Sequence, residues 1–139
     1  MLNKHIIPER WAIPPISQVV QNLNEMKVFS TLDLLSGFYH IEVDPRSRDY
    51  LSFATPTGSY RLTRLAMGLQ PSSAVFSKVM NMAIGHLLGS EALIFIDDIL
   101  VFSKDVNSHY TNLGKVMEAM KRHKLKVKLS KCRFFRQSV

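Results

Sequence analysis

The fold is decided by the stretch Leu93-Ile-Phe-Ile-Asp97-Asp98-Ile-Leu-Val-Phe102, in which two adjacent aspartates stand between two apolar runs. Apolar runs of this length around a short polar centre predict a β-hairpin with the aspartates at its tip. Like charges side by side repel, and a turn without a special role would be expected to use Asn-Gly or Asp-Gly. Two readings remain open: a solvated acidic turn, which the pattern alone favours, and a site for a divalent cation.

A third carboxylate follows a second apolar run. Asp33 stands near the end of residues 27–34, which also predict a strand. If the two strands share a sheet, Asp33 could lie beside Asp97 and Asp98. Three carboxylates could then hold two Mg²⁺ or Mn²⁺ ions, the arrangement used for in-line phosphoryl transfer. The spacing in the sequence does not establish that the strands are neighbours.

The rest of the chain predicts strands and helices joined by short turns. Three prolines indicate an extended lead-in over residues 1–16. We predict helices over 17–26, 71–88 and about 105–123, and further strands over 38–43, 51–53, 60–62 and 124–129. In the second helix, the side chains expected to face inward are Val75, Val79, Met82 and Leu87. The interleaving predicts an α+β fold with helices on one face of the sheet.

Composition fits one domain of 139 residues, 46% of them hydrophobic, without a membrane span or signal peptide. The single cysteine, Cys132, suits a reducing, intracellular compartment, and the five histidines show no zinc-ligand spacing with it.

Residues 1–120 carry 10 basic and 11 acidic residues, whereas residues 121–139 carry eight basic residues and no acid. This basic end indicates either a polyanionic partner or a solvated face. In a strand over 124–129, Lys124, Lys126 and Lys128 would share one face that could contact phosphates, with Lys131 nearby.

Four blocks in order give the chain a family resemblance. Phe29-Ser-Thr-Leu-Asp-Leu-Leu-Ser-Gly-Phe-Tyr-His-Ile41 resembles the first catalytic block of reverse transcriptases from Ty3/gypsy-type LTR retrotransposons. Arg64-Leu-Ala-Met-Gly-Leu69 is similar to their nucleotide-pocket block, and Phe95-Ile-Asp-Asp-Ile-Leu-Val-Phe-Ser103 to their aromatic-x-Asp-Asp box. Leu125-Lys-Val-Lys-Leu-Ser-Lys-Cys-Arg-Phe-Phe135 resembles the block after the palm. The resemblance implies a polymerase palm, an antiparallel sheet backed by helices with a ferredoxin- or RRM-like core, and part of the fingers.

The resemblance also implies roles for single residues. The catalytic metal carboxylates would be Asp33, Asp97 and Asp98, and the Leu34 carbonyl would add a metal ligand beside the incoming nucleotide. Other nucleotide-binding positions would be Phe38 under the incoming sugar, Met67 and Gly68. Without the family, Phe38 is better read as an inward-facing strand aromatic and Gly68 as a turn.

The implied activity is RNA-directed DNA synthesis with two Mg²⁺ or Mn²⁺ ions, a template-primer of RNA or DNA, and dNTP. Residues 1–139 would form a reverse transcriptase fragment lacking the early fingers, thumb and RNase H segments of its parent polyprotein. Such a fragment is expected to have little or no polymerase activity alone. The resemblance also implies a location in the cytoplasm, within a virus-like particle, or in the nucleus. The alternative functions are a catalytically silent remnant that binds nucleic acid and a structural piece that folds only with fingers and thumb.

Overall fold

A computed structural model describes residues 23–69, 71–95 and 98–138 of the chain. Its main feature is a four-stranded sheet in the order β4-β5-β1-β6, in which every neighbouring pair is antiparallel. The strands are β1 (Val28–Asp33), β4 (Ala92–Phe95), β5 (Asp98–Ser103) and β6 (Arg133–Arg136). A separate two-stranded ribbon consists of β2 (Ser52–Thr55) and β3 (Gly58–Arg61). This arrangement confirms the predicted antiparallel sheet and the antiparallel pairing of the two apolar runs around the aspartates. The strands predicted over 51–53 and 60–62 pair with each other in the ribbon.

Two α-helices contribute to the core on one face of the main sheet. Helix α1 spans Ser72–Ile84 directly after Pro71, and α2 spans Val106–Arg122. The Asp105 side chain caps α2 by accepting a hydrogen bond of 2.9 Å from the Ser108 backbone N–H. Both helices confirm the predicted helical segments.

The core forms where the apolar sides of the strands and helices meet. Leu32 of β1 and Ile99 of β5 are fully buried, and they belong to one cluster with Phe76, Met80 and Val116 of the helices. The inward stripe of α1 differs from the prediction, because Met82 is 71% exposed while Phe76 and Met80 are buried. Burial of this apolar surface is the main force that holds the strands in their places.

Residues 38–43 do not form the predicted strand. A 3₁₀ helix spans Gly37–His40, and only a single bridge, Glu42 to Arg64, follows it. Ser36 adopts a left-handed conformation with φ of 54°, which turns the chain away from an extended path. The Phe38 ring therefore packs into the core, 5.0 Å from the Phe76 ring centroid, as an inward-facing aromatic but not as a strand residue.

Residues 124–129 are also not a strand. Lys124 has φ of 56° at the end of α2, and only Val127 makes a β-bridge, to Leu34. A 3₁₀ turn over Leu129–Lys131 follows at once. The lysines therefore do not share one strand face, and the strand at the β1 edge of the sheet is β6, a few residues later.

The predicted lead-in over 1–16 lies outside the described residues, as do residues 17–22 of the helix predicted over 17–26. Of the remaining residues of that segment, Leu23 is helical and residues 24–26 are not. Within the part of the chain that the structure describes, no helix has the length and apolar character needed to cross a membrane.

Candidate functional site

The carboxylates of β1 and β5 meet at one end of the sheet. In the antiparallel register of these strands, Asp33 lies directly across from Asp98. Directly paired residues project to the same face, with Cβ atoms about 4.5–5.5 Å apart. Leu32 and Ile99, the neighbours that point the other way, are fully buried in the core. The apolar sides of the two strands thus fix two acids side by side on the opposite face.

Two opposed carboxylates are electrostatically unfavourable unless a cation lies near them. The Asp33 side chain is 26% exposed, and Asp98 is exposed. Like charges directly opposite each other destabilise a pair of strands. The ammonium of Lys131 lies 3.3 Å from Oδ2 of Asp33 and neutralises part of this charge. The arrangement has the charge and oxygen ligands that a hard divalent cation prefers.

The predicted triad is only partly described. Asp97 lies outside the described residues, so its position relative to Asp33 and Asp98 is left as predicted. Among the residues that are described, no group of three histidine, cysteine or acidic side chains is close enough to hold a metal ion. The structure therefore brings together two of the three predicted carboxylates.

An open groove of about 1070 Å³ runs beside the acidic pair. Its lining includes Asp33 and Asp98, together with residues of the segment 130–138 that contains β6. Three of its lining residues are basic, namely Lys131, Arg133 and Arg136. Lys131 is among the lysines predicted to contact phosphates, whereas Arg133 and Arg136 are not, because their only signal in the sequence is the charge excess of residues 121–139.

The other predicted nucleotide-site residues lie in different settings. The Leu34 backbone pairs with Val127 through bonds from Leu35 N–H to the Lys126 carbonyl and from Lys128 N–H to the Asp33 carbonyl, each 2.8 Å long. Neither bond uses the carbonyl of Leu34, the atom expected to bind metal.

Phe38 is buried at 8% exposure, whereas Met67 is 61% exposed. Gly68 has φ of 85°, a conformation that favours glycine and matches the predicted turn. Nucleotide binding by Phe38, Met67 and Gly68 stays a prediction.

A buried polar cluster joins the two strands that carry the acids at a distance from the acidic pair. His109 of α2 is fully buried, with Nε2 2.7 Å from Oγ of Ser30 on β1 and Nδ1 3.0 Å from Oγ of Ser103 on β5. Burial lowers the pKa of His109, so the ring is neutral at neutral pH. His109 therefore has a structural role, because its hydrogen bonds to Ser30 and Ser103 help to hold β1 and β5 in register. Helix periodicity was the only sequence signal for its burial.

An antiparallel sheet with helices on one face and opposed carboxylates at a strand end is the arrangement expected of the palm that the sequence blocks imply. Over residues 1–139 the chain matches the family described as "Reverse transcriptase (RNA-dependent DNA polymerase)". The chain therefore belongs to the reverse transcriptase family, as the sequence blocks predicted.

Relatives of the chain include polyproteins of LTR retrotransposons. It is 36% identical over 138 residues to the "Retrovirus-related Pol polyprotein from transposon 412" of Drosophila melanogaster, an alignment that covers 99% of this chain and 11% of that polyprotein. Identity to the corresponding polyprotein from transposon gypsy of the same organism is 31%, over 99% of this chain and 13% of the relative. The "Transposon Tf2-3 polyprotein" of Schizosaccharomyces pombe is 28% identical, over 99% and 10%. The chain thus spans about a tenth of these relatives.

Solved structures with a similar fold include those of a foamy viral protease-reverse transcriptase. The foamy viral protease-reverse transcriptase in complex with RNA/DNA hybrid superimposes with a TM-score of 0.88 at 25% identity, covering 99% of this chain and 19% of that one. The dRH form of that protein in complex with ds DNA gives the same score and identity, over 99% and 24%. The likeness confirms the predicted α+β fold.

Proposed function

We propose that this chain supplies the catalytic centre of an RNA-directed DNA polymerase, which transfers nucleotides from dNTPs to a primer 3′-hydroxyl on an RNA or DNA template. The observation that carries the proposal is the register that sets Asp33 across from Asp98. Two opposed acids at this position would destabilise a fold that binds no cation, because like charges repel. Membership of the reverse transcriptase family gives the pair a chemical purpose.

The residues that would hold the metal are Asp33, Asp97 and Asp98, with the Leu34 carbonyl as a further ligand. All of these offer oxygen, which suits two Mg²⁺ or Mn²⁺ ions. Bound ions of this kind stabilise the attacking and leaving oxygens of an in-line displacement at phosphorus. The open groove beside Asp33 and Asp98 leaves room for a substrate on the same face of the sheet.

The protein's own cations would position the polyanionic substrates. Lys131, Arg133 and Arg136 line the groove beside the acidic pair, so phosphates that enter it meet positive charge. Lys124, Lys126 and Lys128 are exposed on the segment that leads into this groove and would extend the positive surface. Phe38, Met67 and Gly68 would shape the nucleotide pocket, as the family blocks imply.

The test is primer extension in a full-length setting, because the chain spans only 11% of the transposon 412 polyprotein. A chimera carries this chain in place of the matching segment of that polyprotein, and it receives oligo(dT)-primed poly(rA), dTTP and Mg²⁺. Extension is expected from the chimera and not from matched chimeras with Asp33→Asn or Asp98→Asn. The isolated chain is expected to extend weakly or not at all.

A second candidate function is nucleic-acid binding without catalysis, favoured by the basic residues that line the groove. It predicts a chimera that retains the template-primer in a salt-dependent manner, does not extend it, and is unaffected by Asp98→Asn. That result would overturn the polymerase proposal. Extension that survives both aspartate substitutions would overturn the role of the acidic pair.

A further inference from the structure

The ammonium of Lys131 lies against the acidic pair. Its Nζ is 3.3 Å from Oδ2 of Asp33, and the Lys131 side chain is 58% exposed. Asp98 lies directly across the strand pair from Asp33. The positively charged side chain of Lys131 thus lies beside the carboxylate that would bind metal.

The backbone that carries Lys131 is fastened to the strand that carries Asp33. The Lys128 N–H donates a hydrogen bond of 2.8 Å to the Asp33 carbonyl, and the Lys131 N–H donates one of 2.9 Å to the Lys128 carbonyl. The 3₁₀ turn over Leu129–Lys131 therefore starts from a fixed point at the end of β1. Only the side chain of Lys131 has to move for the ion pair to open.

We propose that Lys131 is a built-in counter-ion of the acidic pair, which stabilises the metal-free site and competes with divalent cations for Asp33. Without metal, the ammonium offsets part of the negative charge of the acidic pair. When a divalent cation arrives, Lys131 swings into the open groove, where its charge is available to a phosphate. The inference rests on the proposed function, because it takes Asp33 as a metal ligand.

The expected effect is moderate. Exposed ion pairs contribute little, so removal of the competing charge should tighten metal binding about 1.5- to 5-fold at low ionic strength. Since salt screens exposed charges, the difference should shrink at about 0.5 M salt. A large change would indicate a different mechanism.

The test is a Mn²⁺ titration of the chain, in which electron paramagnetic resonance measures the free ion. Lys131→Gln keeps a hydrogen-bond donor near Asp33 but removes the charge, and Lys131→Arg keeps the charge. Lys128→Gln is the matched control, because it removes one exposed positive charge from the same segment and leaves the backbone N–H that bonds to the Asp33 carbonyl. Asp33→Asn reports whether the bound ion uses this site.

The proposal expects a Kd that is 1.5- to 5-fold lower for Lys131→Gln, close to wild type for Lys131→Arg, and changed less than half as much for Lys128→Gln. Equal tightening in both glutamine variants would overturn it, because the effect would then be one of net charge. Binding that requires Asp33 but is unchanged by Lys131→Gln would overturn the counter-ion and leave the proposed function intact. Mn²⁺ binding that does not require Asp33 would overturn both the counter-ion role of Lys131 and the proposed metal centre.

Discussion

Replacement of Asp98 by asparagine should stabilise the metal-free chain. Asp98 lies directly across from Asp33 in the register of β1 and β5, so each carboxylate raises the free energy of the other. Asparagine has nearly the same shape and removes one of the two charges. The expected gain in the free energy of unfolding is about 0.2–1 kcal/mol, the range for directly opposed pairs of side chains on neighbouring strands.

Replacement of Asp33 by asparagine should give a smaller gain. This change removes the same repulsion, but it also removes the ion pair with Lys131, whose Nζ lies 3.3 Å from Asp33. An exposed ion pair is worth about 0.2–1 kcal/mol, so the two effects should nearly cancel. The structure thus predicts an asymmetry between two acids that the sequence alone does not distinguish.

The assay is urea unfolding in EDTA at low ionic strength. With a slope of about 2 kcal/mol/M, the Asp98→Asn midpoint should rise by about 0.1–0.5 M, and the rise should shrink with added salt. Saturating Mg²⁺ should reverse the order, because a ligand at ten times its Kd stabilises the wild type by about 1.4 kcal/mol. A lower midpoint for Asp98→Asn in EDTA, or equal midpoints for both variants and wild type, would refute the reasoning.

Two further predictions concern the framework around the site. Burial lowers the pKa of His109 from its ordinary value of 6.5, so the unfolded chain binds this proton more readily than the folded chain. The stability that neutral His109 contributes should be fully present above about pH 6.5 and should fall as the pH drops below that value. Urea unfolding midpoints measured between pH 8 and pH 5 check this. A His109→Gln variant whose midpoint depends on pH as strongly as that of the wild type would contradict it. Gly37→Ala should lower the free energy of unfolding by about 1–3 kcal/mol, because an added Cβ would lie 2.9 Å from Cε2 of Phe76. Gly114→Ala, where no described atom lies within 4 Å of an added Cβ, should instead raise it by about 0.4–1 kcal/mol, and equal losses in both variants would count against the contact.

The strands that carry the acids could be predicted because their pattern is local. Apolar runs around Asp33 and Asp98 indicated strands, and burial of Leu32 and Ile99 follows from the same runs. The opposition of the two acids could not be predicted in this way. It depends on the register of two strands that are distant in the chain, which tertiary packing sets.

The end of the chain shows where local patterns mislead. Lysines alternating with apolar residues over 124–129 have the period of a strand, but the left-handed Lys124 and the 3₁₀ turn at Leu129–Lys131 leave room for one bridge only. The strand that does pair with β1 at this edge, Arg133–Arg136, contains an irregularity in that pairing and a positive φ at Phe135. Such a strand lacks a clean alternation of polar and apolar residues, so periodicity does not reveal it.

The most direct test of the central claim is to locate a bound divalent cation on the chain. In a ¹⁵N-labelled sample, substoichiometric Mn²⁺ broadens the amide signals nearest to it. The acidic pair predicts that the amides of Asp33 and Asp98 disappear first. Within these strands, the amides of Val28 and Ser103, which are paired at the opposite end and lie about 16 Å away, should persist longest. Broadening centred elsewhere, or broadening that survives Asp33→Asn, would contradict a metal centre at the end of β1 and β5.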